Sequence, residues 1–345
     1  MGATGGTWQT RGAPFLRLYL QIHRPRCVDD GRRMPDVISV GILVADILVR
    51  PVDRWPERGR LTLADSIELH SGGLAHTTGV TLAKLGVPTA VVGCVGSDLF
   101  GTFLIDILRE HQIETHIRRT NHASTSTTVV MVTSSGERSF VHLPGANTSL
   151  TPGDVPPGLL SRSRVMHLGG YFLLPAMDGD PASVLLQQAH AAGCRTSLDT
   201  AWDVHGRWMT TLAPCLPHLD LLFGNRDELG RVTDMDDPAR MAGRLRDLGV
   251  GIVAVKLGED GAYVDDGRWR GRVPAFSVGV VDTTGAGDAF CGGFLAGYLA
   301  GWDIERTTRF ANAVGAMCVS AIGGATGIRS MAETLRFADI TPQRE

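Results

Sequence analysis

The sequence is poor in aromatic residues and in net charge, and it has no long apolar run. Phe, Trp and Tyr make up 6% of the 345 residues, and the formal net charge is −3. Basic and acidic residues are interspersed, so nothing indicates a nucleic-acid footprint or a membrane-surface patch. No segment approaches the roughly 18 apolar residues that cross a bilayer, and the run at 15–22 is too short and too polar for a signal peptide. We therefore expect a cytoplasmic protein with small-molecule partners, not nucleic acid or membrane.

Cysteine is also scarce, and no two cysteines have C-x-x-C spacing. This pattern predicts buried thiols in a reducing compartment, not a disulfide framework or a zinc site. Glycine, by contrast, is abundant at 43 residues, and 43% of the chain is hydrophobic. Such a chain can bury a large core and suits one large α/β domain with many tight turns. The six cysteines are Cys27, Cys94, Cys194, Cys215, Cys291 and Cys318.

Strand-like apolar runs alternate with helix-period segments from Val37 onward. This alternation predicts βα units around a parallel sheet with helices on both faces. Two segments, 47–69 and 117–143, break it and are typical of extended, partly polar β structure. Residues 1–36 show no sustained period, so we expect a disordered tail there, or a true start at Met34. The predicted strands are 37–44, 89–95, 165–168, 196–199, 219–224 and 251–256, and the predicted helices are 75–85, 99–111, 182–192 and 238–248.

The most informative stretch is Asp282-Thr-Thr-Gly-Ala-Gly-Asp-Ala-Phe290. The alternating run at 274–281 predicts a strand before it, and the small-residue run at 286–299 predicts a helix after it. Gly285, Ala286 and Gly287 then fall at the start of the helix, where unpaired N–H groups and the helix dipole bind phosphate oxygens. The motif therefore predicts a phosphoryl-transfer site.

Asp288 falls in the first turn of the predicted helix, where the positive end of the dipole favours its ionised form. A carboxylate at this position can accept the proton of a substrate hydroxyl as the hydroxyl attacks a γ-phosphate. The alternative role is a simple helix cap, which is a common use of Asp. The three small residues directly before Asp288 favour the catalytic interpretation.

This motif resembles the signature of the PfkB, or ribokinase-like, carbohydrate kinases, and the resemblance extends from about Val37 to the C-terminus. It implies an α/β fold with a central, mostly parallel β-sheet flanked by helices in three layers, and a small β-sheet lid. The kinase domain would span 37–340, with lid segments near 47–70 and 117–143. The resemblance makes Asp288 the catalytic base and the backbone of Gly285, Ala286 and Gly287 the anion hole. It also implies ATP and Mg²⁺ as cofactors.

Two further motifs resemble nucleotide-side elements of the same family. Asn225-Arg-Asp-Glu228 follows an apolar strand, where ligands collect in open α/β sheets. The resemblance assigns Glu228 to ordering Mg²⁺ through water, with Asn225 as a polar neighbour, although both are also ordinary helix-start residues. Lys256-Leu-Gly258-Glu-Asp-Gly261 resembles the nucleotide loop, and a solvated lysine at a turn is the alternative for Lys256.

The sugar side of the resemblance rests on the first strand and on a glycine pair. Asp46, expected at the end of the first strand, would accept hydrogen bonds from sugar hydroxyls. Gly72 and Gly73 would let the backbone approach the sugar. Thr77 stands where the family usually has Asn, which leaves the identity of the bound sugar open. Asn147 matches a family element near the sugar. The adjacent His76 is more simply structural.

Toward the C-terminus, the helix-period segment 309–321 precedes the loop 323–327. The resemblance places Asn312 near the adenine. It also places a monovalent cation, such as K⁺, at Asp282 and Thr284. The exposed lid of such a fold favours a homodimer.

The phosphate-binding motif predicts phosphoryl transfer, and the family resemblance implies an ATP-dependent kinase acting on a sugar or sugar-like hydroxyl. One alternative is a nucleoside or vitamin-alcohol kinase of the same fold, which the low aromatic content disfavours. Another is a non-catalytic sugar- or nucleotide-sensing module, which would not need Asp288 and Glu228. A dinucleotide-dependent oxidoreductase would need G-x-G-x-x-G after the first strand, and Asp46-Ile-Leu-Val-Arg stands nearby instead.

Overall fold

The computed structural model describes residues 34–55 and 57–340. The expected N-terminal tail, except for residues 34–36, lies outside the described residues. The strands are β1 (Val37–Gly41), β2 (Val44–Arg50), β3 (Ser66–Gly72), β4 (Thr89–Gly96), β5 (Glu114–Thr120), β6 (Thr127–Val132), β7 (Arg138–Leu143), β8 (Val165–Tyr171), β9 (Arg195–Thr200), β10 (Leu221–Asn225), β11 (Ile252–Lys256), β12 (Ala262–Asp265) and β13 (Arg270–Val273). The helices are α1 (Leu74–Lys84), α2 (Leu99–Glu110), α3 (Pro157–Leu160), α4 (Asp180–Ala191), α5 (Trp208–Leu212), α6 (Arg226–Thr233), α7 (Pro238–Asp247), α8 (Ala286–Leu299), α9 (Ile304–Val319) and α10 (Met331–Phe337).

The large sheet has nine strands in the order β13-β12-β11-β10-β9-β8-β1-β4-β5. Every pair from β11 to β5 is parallel, and only the β11-β12-β13 edge is antiparallel. This arrangement confirms the predicted mostly parallel α/β sheet. The carboxyl ends of β9, β10 and β11 lie side by side, which is where an open sheet collects its ligands.

Helices cover both faces of this sheet, because successive strand residues point to opposite sides. On β10, Leu222 packs in one buried cluster with α4 and α7, whereas Leu221 and Phe223 pack in another with α8 and α9. Parallel strands buried on both faces read as continuous apolar runs. The sequence pattern therefore produces the three layers that were expected.

A second sheet of four strands, in the order β3-β2-β6-β7, forms the lid. Its strands β2 and β6 are parallel, and the outer pairs are antiparallel. These four strands overlap the segments near 47–70 and 117–143 that were expected to form the lid. Strand β5 also overlaps the second segment, but it pairs with β4 at the edge of the large sheet and is not part of the lid.

Two predicted strands are wrong. The strand at 37–44 stops at Gly41, and the chain resumes at Val44 as lid strand β2, so Asp46 lies inside the lid and not at the end of the first strand. Continuous apolar character hid this break. The run at 274–281 forms no strand; Val280 and Val281 are exposed, and apolar alternation was misleading there because no neighbouring strand pairs with it.

Candidate active site

Helix α8 begins at the carboxyl edge of the sheet with a glycine in the left-handed conformation. Gly285 has φ 76°, and a Cβ built on it would lie 2.6 Å from Gly324 Cα, so only glycine fits this N-cap. Within the described residues, the N–H groups of Gly285 and Gly287 donate to no protein oxygen, and Ala286 N donates weakly to Thr283 O at 3.3 Å. The start of α8 therefore offers backbone donors to an anion.

Asp288 lies in the first turn of α8, as predicted. Asp288 is partly exposed, yet its carboxyl group is surrounded closely enough that burial raises its pKa to about 7. The carboxylates of Asp199, Asp46 and Glu228 raise it further, and Lys256 opposes them. A carboxylate with a pKa near the working pH is suited to general base catalysis.

Lys256 ends β11 and points back under the start of α8. Its Nζ lies 2.7 and 2.8 Å from the two carboxylate oxygens of Asp199, at the end of β9. Burial alone would lower the pKa of Lys256, but the Asp199 carboxylate raises it. A Cβ built on Gly287 would lie 3.1 Å from this Nζ. The lysine is therefore not a solvated turn residue; its ammonium lies beside Gly287 at the start of α8.

Asn225 and Glu228 form a capping box at the start of α6. Asn225 Oδ1 accepts a hydrogen bond from Glu228 N at 2.8 Å, and Glu228 Oε2 accepts one from Asn225 N at 3.1 Å. Thr200 Oγ1 also donates to Oε2 at 2.8 Å. Among the described residues, Oε1 has no protein donor. The structure thus shows the cap, and it leaves the second carboxylate oxygen, Oε1, available to a water or a metal hydrate.

Asp46 sits in a polar row that crosses the lid. The register aligns Asp46 with His70 on one side and with Thr128 on the other, and Thr128 with His142. Burial raises the pKa of Asp46 to about 6, while Thr128 and His70 oppose that shift. The row offers several donors and acceptors to a polyol.

Gly72 and Gly73 lie beside this row, at positions where only glycine fits. A Cβ on Gly72 would lie 1.9 Å from Asp46 Oδ2, and one on Gly73, at φ 92°, would lie 2.5 Å from Ile42 O. The backbone of the β3–α1 junction is thereby left bare next to the Asp46 carboxylate. Such a bare backbone permits close approach of a ligand.

The other expected substrate residues make internal contacts. Asn147 is buried and clamps Leu43, accepting from its N–H at 3.2 Å and donating to its carbonyl at 3.0 Å. Thr77 is buried in α1, where a Cβ built on Gly324 would lie 3.2 Å from its Oγ1. His76 is fully buried, with Nε2 3.2 Å from Leu104 O, and burial lowers its pKa to about 4, which confirms the structural interpretation.

The remaining nucleotide-side residues lie along the β11–β13 edge. Gly258, at φ 62°, and Gly261, at φ 90°, bracket the turn between β11 and β12. Asn312 on α9 donates to the carbonyls of Val273 and Pro274, both at 3.0 Å, and so fixes the chain as it leaves β13. The structure brings these residues to the same edge as Lys256.

The residues expected to hold a monovalent cation are already bonded. Asp282 Oδ1 accepts from Thr284 N at 2.8 Å and Oδ2 accepts from Gly323 N at 2.9 Å. Arg138 Nη1 lies 2.8 Å from Asp282 Oδ1 and donates to Thr284 Oγ1 at 3.1 Å. The site thus already contains a cationic side chain, and the donor set does not fit an additional cation.

The residues fit a hydrated magnesium ion, for which a single protein carboxylate is enough when substrate phosphates supply other ligands. No group of three or more His, Cys, Asp or Glu side chains within 34–55 and 57–340 could hold a metal by itself. Mg²⁺ usually keeps several waters and binds through one or two carboxylates together with substrate phosphates. Glu228 Oε1 is suitably placed at the strand ends for that role.

Sequence reasoning missed Arg138 and the polar row, and it left Asp199 aside. The alternation on β7, with Arg138, Phe140 and His142 on one face, carried the available signal: two polar side chains four residues apart on a strand share a face and predict that this face meets something polar. Asp199 gave no such signal, because its partner lies far along the chain.

Comparisons with known proteins identify similar chains. The model of the pfkB family carbohydrate kinases matches residues 34–331. The ATP-dependent ribose-1-phosphate kinase of Halopiger xanaduensis is 30% identical, over 86% of this chain and 95% of that protein. The structure of Arabidopsis thaliana ribokinase complexed with ribose and ATP aligns with a TM-score of 0.78 at 26% identity, covering 89% of this chain and 99% of that one. The adenosine kinase from Sinorhizobium meliloti aligns at 0.76 and 27% identity, covering 88% and 99%.

Proposed function

We propose that this chain, which belongs to the pfkB family of carbohydrate kinases, transfers the γ-phosphoryl group of ATP to a hydroxyl of a sugar or sugar-like molecule. One observation carries the proposal: a carboxylate whose pKa is about 7, Asp288, lies one residue beyond the unpaired N–H groups at the start of α8. Base and anion hole are thereby adjacent, as in-line transfer to a hydroxyl requires.

In the proposed reaction each of these residues has a separate role. Asp288 accepts the proton of the attacking hydroxyl, and the N–H groups of Gly285, Ala286 and Gly287 donate to the oxygens of the transferred group. The Lys256 ammonium, beside Gly287, adds positive charge there. Asp46, with the bare backbone at Gly72 and Gly73, orients the acceptor hydroxyl, and Thr77 and Asn147 hold the surrounding segments.

On the nucleotide side, Asn225, Gly258, Gly261 and Asn312 would line the ATP site. Glu228 Oε1 would order Mg²⁺ through water, and Mg²⁺ when bound neutralises charge on the phosphates. The ribokinase structure determined with ribose and ATP supports ATP as the donor. No helix among residues 34–55 and 57–340 has the length and apolar character to cross a membrane.

A nucleoside is the second candidate acceptor, and Phe140 favours it. Phe140 lies on the same side of β7 as Arg138 and is 62% exposed, so an aromatic ring is free to meet a base. A cavity of about 150 Å³, lined by Ile42, His142 and Phe172 among others, adjoins the polar row. The similarity to an adenosine kinase supports this candidate as well.

The test is ADP release from Mg-ATP across pentoses, hexoses, their keto and deoxy forms, and nucleosides. We expect acceptor-dependent turnover that Asp288→Asn lowers by about 10²- to 10⁴-fold. The control is Asp180→Asn, which alters an exposed carboxylate in the first turn of another helix and should leave the rate unchanged. An Asp288→Asn enzyme as fast as the wild type would refute the assignment of the base.

A further inference from the structure

Arg138 reaches from lid strand β7 to the loop that leads into the anion hole. Its Nη1 lies 2.8 Å from Asp282 Oδ1, 3.2 Å from Thr283 Oγ1 and 3.1 Å from Thr284 Oγ1. One nitrogen is thus surrounded by a carboxylate oxygen and two hydroxyl oxygens. Oxygen donors of this kind are those that a hard monovalent cation would use.

The Asp282 carboxylate needs a positive partner. Its side chain is 3% exposed, and a buried carboxylate is costly unless it is paired and hydrogen-bonded. Burial would raise the pKa of Asp282, but hydrogen bonds from Gly323 and Thr284, together with Arg138, hold it below its usual value. Across the described part of the chain, Arg138 is its only ion-pair partner.

Asp282 in turn ties together the two loops that support the anion hole. Its two oxygens bind Thr284 N at 2.8 Å and Gly323 N at 2.9 Å. The next residues, Gly285 and Gly324, pack closely, and a Cβ built on Gly285 would lie 2.6 Å from Gly324 Cα. The charge that neutralises Asp282 therefore also fixes the backbone from which the unpaired N–H groups project.

We propose that Arg138 is a positioning residue that takes the place of a monovalent cation. The kinase then turns over without K⁺, and the charge that orders the anion hole arrives with the lid. A diffusible ion would order the loop whether the lid is open or closed, whereas an arginine on β7 makes that order depend on lid position. This inference rests on the proposed kinase function.

The kinetic test compares choline chloride with KCl at equal ionic strength. We expect the same wild-type kcat in both salts. Arg138→Ala should lower kcat in choline by about 10²-fold through a misplaced anion hole, and KCl should restore much of it. Arg138→Lys, which keeps a positive charge, should stay near wild type without K⁺. Arg60→Ala, an exposed lid-loop arginine, is the control and should behave as wild type.

Three kinetic results would overturn the assignment. They are strong activation of the wild type by K⁺, full activity of Arg138→Ala in choline, and a loss that appears as a raised KM for ATP and that K⁺ does not restore. The last result would make Arg138 a direct nucleotide contact.

Thermal melting supplies a readout that needs no acceptor. K⁺ that binds only the folded Arg138→Ala protein should raise its Tm relative to choline, and the wild type should show no such shift. A K⁺-dependent shift in the wild type, or none in Arg138→Ala, contradicts the proposal even where no kinase activity is found. Arg138→Gln repeats the comparison if the alanine variant does not fold.

Discussion

Asp288 is surrounded by charge of both signs, and this balance sets its chemistry. Burial and three carboxylates push its pKa up to about 7, while Lys256 pulls it down. An ordinary Asp would be a weaker base, because its conjugate acid gives up the proton more readily. The same crowding applies to Asp46, whose pKa of about 6 also has burial as its main cause. In the proposed reaction both groups act as acceptors, so both would have to be ionised.

The pH dependence follows from these two carboxylates. Because the ionised form of Asp288 is the active one, kcat/KM should fall as the pH drops below about 7, by about tenfold per pH unit. Below about 6, protonation of Asp46 should steepen the fall. A kcat/KM profile from about pH 5 to about pH 9 checks this. Asp46→Asn should remove the steeper part and shift the remaining fall to lower pH, because the Asp46 carboxylate raises the pKa of Asp288. A profile that stays flat down to pH 5 would exclude Asp288 as the base.

Asp199 on β9 and Lys256 on β11 form an ion pair beneath helix α8. Asp199 is 1% exposed and Lys256 15%, and they make two short contacts. The Cys291 thiol of α8 lies 3.3 Å from Asp199 Oδ2, so the helix rests directly on the pair. Such a pair holds the lysine beside Gly287, and it leaves an expensive charge if one member is lost.

We therefore predict strong coupling between these two positions. Lys256→Met should lower the free energy of unfolding by about 3–5 kcal/mol, because it strands the Asp199 carboxylate in the interior. Lys256→Met with Asp199→Asn should recover much of that loss, while turnover stays low because the ammonium is gone. Urea unfolding of the two single variants and the double variant measures the coupling. Additive losses would show that the two side chains are not coupled and would contradict the prediction.

The sequence predicts local elements well and distant partners poorly. The start of α8, the Asn225–Glu228 cap and the lid segments follow from motifs whose residues are neighbours in the chain. Contacts such as Arg138 with Asp282 and Asp199 with Lys256 join distant segments, and no periodicity records them. The break after Gly41 was not predicted because the residues on both sides of it are apolar. Only the segment before the break pairs with the large sheet, whereas the segment after it pairs within the lid.

The lid sheet has one face with polar and charged side chains and one face that is largely apolar. One face carries Asp46 and Arg138 toward the body. The other presents apolar side chains from all four strands, aligned by register, as in the pairs Ile47 with Leu69 and Val129 with Val141. Ile67 is 71% exposed and Val141 52%. Contiguous exposed apolar surface of this kind marks an interaction site.

We predict that this outer face pairs with a second copy of the chain. A two-fold interface buries the same patch on both copies, so one changed residue introduces two charges. Sedimentation or light scattering should give a dimer for the wild type and a monomer for Ile67→Glu or Val141→Glu. Val184→Glu, an equally exposed position on α4, should remain dimeric. If the wild type is monomeric at every concentration tested, the lid face serves another partner. If the dimer forms as predicted, the monomeric variants should also show a raised KM for the acceptor, because a lid without its partner loses packing that keeps Asp46 in place.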